Sequence, residues 1–179
     1  DAPFLLYVGR VDPGKGSLEA FEYFTTYKKR NPSPLKLVIV GDPVMNLPSH
    51  PDVIGTGFVP EQEKLDAIAA CTIFLQPSYF ESFSMALTEA WALRRPALVQ
   101  GRCDVLSGQA KRSDGALIYN GFAEFEAALD LFFENKNLAA SLGTNGHAYV
   151  EKNYEWQMLA SRYELLLERV IDAFPRRNS

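Results

Sequence analysis

PSYFESFSMALTE, residues 77–89, decides the fold class of this chain because it joins a buried strand to a helix through a short turn. The residues before it, TIFLQ at 72–76, are mostly apolar and β-favouring, and Pro77 closes the run. Beyond the turn, apolar residues from Met85 to Leu93 follow a roughly helical spacing. Such a junction exposes the unpaired N–H groups of the helix start, which attract anions such as phosphate.

Two carboxylates, Glu81 and Glu89, stand eight residues apart in this stretch. The spacing alone is not specific, because residues 126–134 repeat it within an ordinary amphipathic helix. Only Glu81 stands between a strand end and a helix start, where open α/β sheets bind their ligands. Because a carboxylate repels phosphate, Glu81 is better suited to accept hydrogen bonds from hydroxyl groups. The stretch therefore predicts a site for a sugar-bearing phosphate ester.

A second strand, turn and helix open the chain as FLLYVGR (4–10), VDPGKG (11–16) and SLEAFEYFTTYKKR (17–30). The glycines of the turn let the backbone approach a ligand closely. Arg10 and Lys15 place two cations at the carboxyl end of the strand, where they suit a diphosphate and its neutralisation as it leaves. The alternative is a surface turn whose charges are merely solvated.

Residues 9–15 also spell G-x-x-x-x-G-K, most of a nucleotide triphosphatase P-loop. A P-loop needs a serine or threonine directly after the lysine to hold Mg²⁺, whereas Gly16 stands there and Ser17 comes one position late. One helical position is a rotation of about 100°, so the Ser17 hydroxyl is expected to point elsewhere. The sequence favours the sugar-phosphate hypothesis over this rival.

The rest of the chain alternates strand and helix patterns, which predicts a Rossmann-like, doubly wound parallel sheet of about six strands with helices on both faces. The predicted strands are 4–9, 36–41, 52–57, 72–76, 96–99 and 116–119, and the predicted helices 17–30, 61–70, 84–94, 122–134, 136–152 and 155–173. GRCDVLSGQAKRSDG, residues 101–115, reads as a long loop. The final helix has a strong apolar stripe, for which core packing is the default expectation.

Composition limits the classes of protein that fit this chain. With 179 residues, 47% of them hydrophobic, we expect one domain over residues 1–179 with one sizeable core. A net charge of −4 without a basic stripe argues against nucleic acid as a partner. The chain has no apolar run long enough for a membrane span and no signal peptide, and Cys71 and Cys103 suggest neither a disulfide nor a metal site. We therefore expect a cytoplasmic protein.

Several motifs together resemble the donor-binding, C-terminal half of a retaining glycosyltransferase of the GT-B architecture, in the group called family 4 or group 1. They are VGRVDPGKG, LVIVGD, GFVPEQEKL and LQPSYFESFSMALTEAWALRRPALVQG, followed by the closing amphipathic helix. The resemblance covers residues 4 to about 172 in the order of the family. Because Asp1 leads almost at once into a strand, we expect a fragment of a two-domain enzyme of carbohydrate biosynthesis, inactive without its N-terminal domain.

The resemblance implies that a hexose-type sugar moves from a nucleotide diphosphate to an acceptor held by the N-terminal domain. Arg10 and Lys15 would bind the diphosphate, Glu81 would contact the transferred sugar, and Glu89 would hold the ribose hydroxyls. The backbone after Glu81 would contact sugar and phosphates, and residues 58–61 the base. The substrate-binding positions so implied, besides Glu89, are Gly9, Gly14, Phe58, Val59, Glu61, Ser82, Phe83, Ser84, Met85 and Ala86.

The sequence departs from the usual Glu-Gly-Phe-Gly pattern of this group, since Ser82 and Ser84 replace the two glycines. If position 84 requires a backbone conformation that favours glycine, the geometry of this loop is altered. We also predict both serines as natural helix caps. An alternative interpretation follows: a non-catalytic nucleotide-binding or scaffolding module of the same fold.

The resemblance also bears on cofactors and location. It implies that the leaving phosphate takes the acceptor's proton, and it implies neither a cofactor nor an obligatory metal. Helix 155–173 would contact the missing N-terminal domain, and peripheral membrane association of the full enzyme is compatible with the family. The base, the sugar and the acceptor are not specified by these residues.

Overall fold

Six parallel strands form one sheet in the order β3-β2-β1-β4-β5-β6. The computed structural model describes residues 2–45 and 49–174; the remaining residues of the predicted 1–179 domain lie outside this description. The strands are β1 Phe4–Val8, β2 Lys36–Val40, β3 Val53–Gly57, β4 Ile73–Gln76, β5 Ala97–Gln100 and β6 Ala116–Tyr119. The predicted doubly wound parallel sheet is confirmed, with strand ends that differ by a residue at most.

Seven helices surround the sheet in the described part of the chain. They are α1 Ser17–Arg30, α2 Glu61–Ala70, α3 Met85–Ala92, α4 Asp104–Ser113, α5 Phe122–Glu134, α6 Lys136–Tyr154 and α7 Trp156–Ala173. A short 3-10 helix, Pro13–Lys15, precedes α1. Helices α1 and α5 cover one face of the sheet, and α2, α3 and α4 cover the other.

The central strands are buried on both faces, which explains why they read as nearly continuous apolar runs. Along β1, Leu5 points into the core beneath α1 and α5, whereas Leu6 points into the core beneath α2 to α4. Trp91 of α3 is fully buried on the second face and donates a hydrogen bond to the carbonyl of Gly115 at 2.9 Å. The two cores hold the strand ends rigidly relative to one another.

The prediction of a long loop over residues 101–115 was wrong, because α4 occupies Asp104–Ser113. This helix is short and polar, with serines and Gly108 that weaken the helical pattern, so its buried stripe is inconspicuous in the sequence. Leu106 and Ala110 form that stripe and contact the core. The helix completes the crossover from β5 to β6 and brings Cys103 to its N-cap, where it is buried.

Helix α7 packs beside α6 and has no buried residue, so the expectation of core packing for its apolar stripe was wrong. Trp156 is 80% exposed and Ile171 is 67% exposed, and most of the large apolar residues between them are also exposed. An amphipathic helix of this kind presents an apolar face that the described residues leave uncovered. None of the helices in residues 2–45 and 49–174 combines the length and the apolar character needed to cross a bilayer.

Candidate active site at the reversal of the strand order

The strand order reverses between β1 and β4, and the loops that follow these two strands meet at that point. Open parallel sheets bind ligands at such a switch point, outside the carboxyl ends of their strands. Gly16, in the loop after β1, has a φ of 66°, and a Cβ atom there would lie 2.1 Å from the carbonyl oxygen of Pro77. Glycine is therefore required at position 16 for the two loops to touch.

Lys15 and Glu81, the principal residues predicted from the two loops, form an ion pair at the switch point. Lys15 Nζ lies 2.8 Å from Glu81 Oε1, and the two side chains are 27% and 11% exposed. The same carboxylate oxygen accepts a second hydrogen bond, from Gln76 Nε2 at 3.2 Å. Among the described residues nothing donates to Glu81 Oε2, which leaves this oxygen able to accept a ligand hydroxyl.

Arg10 is held more loosely than Lys15. Its guanidinium lies 3.6 Å from Asp12 Oδ2 and its side chain is 69% exposed, so it can swing toward an incoming anion. Its carbonyl accepts a hydrogen bond from the Tyr7 hydroxyl at 2.6 Å, which fixes the backbone beneath it. The loop therefore offers one anchored cation at Lys15 and one mobile cation at Arg10.

The remaining residues of this loop are arranged by Asp12. Its Oδ1 accepts a hydrogen bond from the Lys15 amide at 3.1 Å, which caps the 3-10 helix that contains Gly14. Gly9 lies where a Cβ atom would approach the Tyr7 hydroxyl to 2.8 Å. Ser17 is fully buried and donates its hydroxyl to the Asp12 carbonyl at 2.9 Å, so it does not face the ligand side as a P-loop serine must.

Ser84 adopts the left-handed conformation that the departure from the glycine pattern brought into question, with φ 66° and ψ 75°. It stands at the N-cap of α3 but makes no capping hydrogen bond, so the predicted cap role of Ser84 was wrong. Its hydroxyl instead accepts a hydrogen bond from Gln76 Nε2 at 2.8 Å. Ser82 is exposed in the turn two residues before this N-cap, so the prediction of a cap at Ser82 was also wrong. A serine is thus held where glycine has the lower conformational strain.

Phe83 is held in place by contacts with helices α4 and α6. Its carbonyl accepts a hydrogen bond from Gln109 Nε2 of α4 at 2.8 Å, and its ring meets the Tyr154 ring edge-on with centroids 5.1 Å apart. Met85 is 70% exposed beside it, whereas Ala86 is partly buried against the core. Two helices therefore fix the backbone that follows Glu81.

Glu89 belongs to a separate cluster, on the side of α3 that faces α2. Lys64 of α2 lies 2.9 Å from Glu89 Oε2 and 2.9 Å from Glu61 Oε1, and so brings these two predicted residues together. Burial opposes the charge of Lys64, but its hydrogen bonds to Glu89 and Glu61 outweigh that effect and raise its pKa. Val59 packs against the core nearby, and Phe58 is 77% exposed.

A cavity of about 450 Å³ opens in front of Glu81. Its lining combines charges of both signs with aromatic rings, which suits a ligand rich in hydroxyl groups. The lining residues are Lys15, Tyr79, Phe80, Glu81, Ser82, Arg102, Asp104 and Val105.

Glu19 of α1 supports two walls of this cavity. It accepts hydrogen bonds from the Tyr79 hydroxyl at 2.6 Å and from Gln100 Nε2 at 2.6 Å, while Gln100 Oε1 accepts one from the Arg102 amide at 3.2 Å. Burial, aided by the bond to Glu19, raises the pKa of Tyr79 to about 12, so this hydroxyl stays protonated at neutral pH.

Sequence reasoning missed Gln76, Tyr79 and Asp104 as site residues, whereas its placement of Arg102 in a loop was right, since Arg102 lies in the turn between β5 and α4. One signal for Gln76 was present in the sequence: it is the single polar residue that ends the buried run IFLQ directly before Pro77. The position of Asp104 at the start of α4 could not be read because α4 itself was not recognised.

The described residues contain no cluster of three or more His, Cys, Asp or Glu side chains that could hold a metal ion. Both cysteines are free and buried, and burial raises the pKa of the Cys71 thiol to about 12, which makes it a poor nucleophile.

The family model described as glycosyl transferases group 1 matches residues 1–149. A relative from Bacillus subtilis (strain 168), the putative teichuronic acid biosynthesis glycosyltransferase TuaC, is 35% identical over 99 residues, which are 55% of this chain and 24% of that protein. This chain therefore spans about a quarter of that curated relative.

Two solved structures share the fold across almost the whole chain. Sucrose-phosphate synthase from Thermosynechococcus elongatus superposes with a TM-score of 0.79 at 21% identity, covering 97% of this chain and 46% of that one. HepE from Anabaena, solved in complex with UDP and glucose, gives a TM-score of 0.78 at 14% identity, covering 94% of this chain and 48% of that one. This chain thus corresponds to about half of each of these proteins.

Proposed function

Because the chain belongs to the glycosyl transferases group 1 family, we propose that it is the nucleotide-sugar-binding domain of a retaining glycosyltransferase. The observation that carries this proposal is the meeting of Lys15 and Glu81, 2.8 Å apart, at the switch point of the sheet. A cation that can hold phosphate and a carboxylate that can hold hydroxyl groups stand side by side there. A sugar esterified to a diphosphate needs both.

The diphosphate is assigned to Arg10 and Lys15. As the bond between sugar and phosphate breaks, negative charge grows on the departing diphosphate, and preorganised cations stabilise that charge. Lys15 is held in place by Glu81, whereas the exposed Arg10 can close onto the phosphate when the ligand arrives. These two positive charges support a transfer that requires no metal ion and no cofactor.

The transferred sugar is assigned to the cavity in front of Glu81, and the proposed sugar is a hexose. Glu81 Oε2 accepts a sugar hydroxyl, while Oε1 remains bound to Lys15 and Gln76. The backbone of residues 83–86, at the start of α3, directs N–H groups toward the sugar and the phosphates. The acceptor attacks from the side on which the diphosphate leaves, and the departing phosphate oxygen takes its proton, which retains the anomeric configuration.

The nucleoside is assigned to the cluster of Glu89, Lys64 and Glu61. Glu89 accepts hydrogen bonds from the ribose hydroxyls, and Lys64 holds its carboxylate in position. The base rests near Phe58, Val59 and Glu61, where the exposed Phe58 ring offers an apolar surface. HepE, which shares this fold, was solved with UDP and glucose, and this supports a nucleotide sugar as the ligand class.

The acceptor is assigned to an N-terminal domain that lies outside this chain. The chain corresponds to 46% of sucrose-phosphate synthase and 48% of HepE, which leaves room for such a domain in the whole protein. The exposed apolar face of α7 would contact it. We therefore expect the 179-residue chain alone to bind the donor weakly and to transfer nothing. A cytoplasmic location, in keeping with two free and buried cysteines, completes the proposal.

An NMR titration of this chain tests the proposal. UDP, GDP, ADP and the triphosphates ATP and GTP are added with and without Mg²⁺, and the amides of residues 9–17, 57–64 and 81–89 are followed. We expect saturable shifts in all three segments without Mg²⁺, and the nucleotide that binds best identifies the donor base. Shifts confined to residues 9–17 that need Mg²⁺ and a triphosphate would instead support a P-loop function.

The stereochemistry is tested on the full natural protein. The anomeric configuration of the product is measured by NMR with the selected nucleotide sugar as donor and EDTA present. We expect transfer with retention. Donor binding without any transfer by the full protein would support the alternative of a binding or scaffolding module.

A further inference from the structure

We propose that Gln76 is a positioning residue for Glu81: its side-chain amide fixes one carboxylate oxygen and thereby sets the direction in which the other meets the sugar. This inference rests on the proposed function, because it assumes that Glu81 contacts the transferred sugar. It concerns the last residue of β4, which lies in the strand just below the cavity.

The geometry of the Gln76 amide uses both of its hydrogen atoms. Nε2 lies 2.8 Å from Ser84 Oγ and 3.2 Å from Glu81 Oε1, and an amide nitrogen carries two hydrogens in one plane. Gln76 is 3% exposed, so this plane is fixed by the surrounding core. The positions of the two acceptors are therefore coupled to each other and to the strand.

The orientation of the amide follows from the charge of its neighbour. A carboxylate only accepts hydrogen bonds, so the nitrogen and not the carbonyl oxygen must face Glu81. Reversal of the amide would place two oxygens with negative charge against each other. Gln76 thus has one arrangement that suits an ionised Glu81.

Lys15 alone could not fix the Glu81 carboxylate in this way. A lysine ammonium is a point charge on a flexible stem, and it follows a carboxylate through many orientations. The planar amide of Gln76 adds the missing direction to the same oxygen, Oε1. With Oε1 held by two donors, the torsion of the carboxylate is set and Oε2 keeps a constant direction toward the cavity.

The arrangement around Gln76 lowers the stability of the fold. Gln76 Oε1 is buried and has no hydrogen-bond partner within residues 2–45 and 49–174. A buried polar atom without a partner destabilises the fold, whereas leucine of similar size would not. Ser84, the second acceptor, is held in the left-handed conformation. Strain and an unsatisfied group that meet beside a ligand cavity indicate a role in positioning and not in stability.

The decisive variant is therefore Gln76→Leu in the full natural protein. Turnover is followed as release of the nucleotide diphosphate from UDP-glucose, GDP-glucose or ADP-glucose, with water or the natural acceptor taking the sugar. We expect kcat to fall by roughly 10- to 100-fold, since a small misplacement of a reacting group has effects of that order. KM for the donor should change little, and the unfolding temperature should stay the same or rise.

Leu75→Val is the matched control, because Leu75 is the fully buried neighbour of Gln76 in β4 and takes no part in the hydrogen bonds of Gln76 with Glu81 and Ser84. It should lower the unfolding temperature and leave kcat close to that of the native protein. If both variants lose stability and activity in parallel, Gln76 is only a core residue and the proposal is overturned.

Gln76→Glu supplies a second readout that a structural role would not produce. An ionised glutamate would repel Glu81, so kcat at neutral pH should fall below that of Gln76→Leu. Protonation restores one donor, so activity relative to Gln76→Leu should recover as the pH is lowered. A Gln76→Glu profile parallel to that of Gln76→Leu would contradict the proposal.

Glu81→Gln separates this inference from the proposed function. If Glu81→Gln keeps native turnover, the proposed function fails and the inference with it. If Glu81→Gln loses turnover while Gln76→Leu keeps it, the proposed function stands and only the role of Gln76 is refuted.

Discussion

Glu81 and Glu89 are held in different ways, although each is paired with a lysine. Glu81 stands in a turn, is 11% exposed, and is fixed by donors from two other segments, Lys15 after β1 and Gln76 on β4. Glu89 stands on the regular backbone of α3, is 23% exposed, and shares Lys64 with Glu61. Glu81, which donors from two segments hold in one orientation, is suited to an interaction that strengthens in the transition state. Glu89, which shares its lysine with another carboxylate, is suited to binding the substrate in the ground state.

Replacement of Glu81 should have the largest effect. Glu81→Gln keeps the size of the side chain but removes the charge beside Lys15 and exchanges an acceptor for a donor. We expect kcat of the full natural protein to fall by about 10²- to 10³-fold, the range seen when one preorganised polar group is lost. Steady-state kinetics with the selected nucleotide sugar measure it. A rise in KM at constant kcat would show that Glu81 only binds.

Replacement of Glu89 should act on binding. Glu89→Gln is expected to weaken the nucleotide by roughly 10-fold, as fits the loss of a hydrogen bond to a charged group, with little change in kcat. Titration calorimetry with UDP, GDP and ADP measures it, and Glu126→Gln, on the distant helix α5, is the matched control. A larger loss of kcat in Glu89→Gln than in Glu81→Gln would reverse the contrast between the two carboxylates.

The sequence predicted only part of this difference between Glu81 and Glu89. The junction of a buried strand, Pro77 and an apolar helix is a local pattern, so it predicted the place of Glu81 and the parallel sheet beneath it. Lys15 and Glu81 were each predicted at the carboxyl end of a strand, and such ends lie along one edge of a parallel sheet, but the ion pair between them was not predicted. Strand order, which makes those two loops neighbours, came only from the structure.

The features that the sequence did not predict depend on contacts between residues far apart in the chain or on weak local patterns. Gln76 donates to Glu81 and Ser84 through a rotamer that packing selects, and no sequence period encodes a rotamer. Helix α4 has few apolar residues, and its stability comes from packing Leu106 against the core. The apolar stripe of α7 did not by itself reveal what covers it; only the family resemblance implied that this helix contacts another domain.

Substitutions at Ser84 should have a moderate effect, on stability. Ser84→Ala loses the hydrogen bond from Gln76 and keeps the left-handed strain, so the free energy of unfolding should fall by about 1–2 kcal/mol. Ser84→Gly loses the same bond but relieves strain of about 1–2 kcal/mol, so it should be close to neutral. Urea unfolding of the chain measures both. If glycine were as destabilising as alanine, the turn of Glu81 would not be strained.

The smallest effect should come from the Glu89 cluster at high pH. Burial opposes the charge of Lys64, but the hydrogen bonds to Glu89 and Glu61 prevail and raise its pKa in the folded chain above the unfolded value of about 10.4. The stability that this pair contributes is complete below the unfolded pKa and is lost as the pH rises through the higher folded pKa. Its size is small because Lys64 is only partly shielded from water.

Buried tyrosines also titrate at high pH and change the stability, so the contribution of Lys64 is isolated by comparison with a Lys64 variant. Burial and a bond to Glu19 raise the pKa of Tyr79 to about 12, so its share of the stability is lost over the same pH range. The unfolding free energy is therefore measured from pH 8 to 11 in the native chain and in Lys64→Met. Native stability should fall more steeply above about pH 10 than that of the variant. Equal slopes would mean that Glu89 is held without Lys64, and the two carboxylates would then differ less than their surroundings indicate.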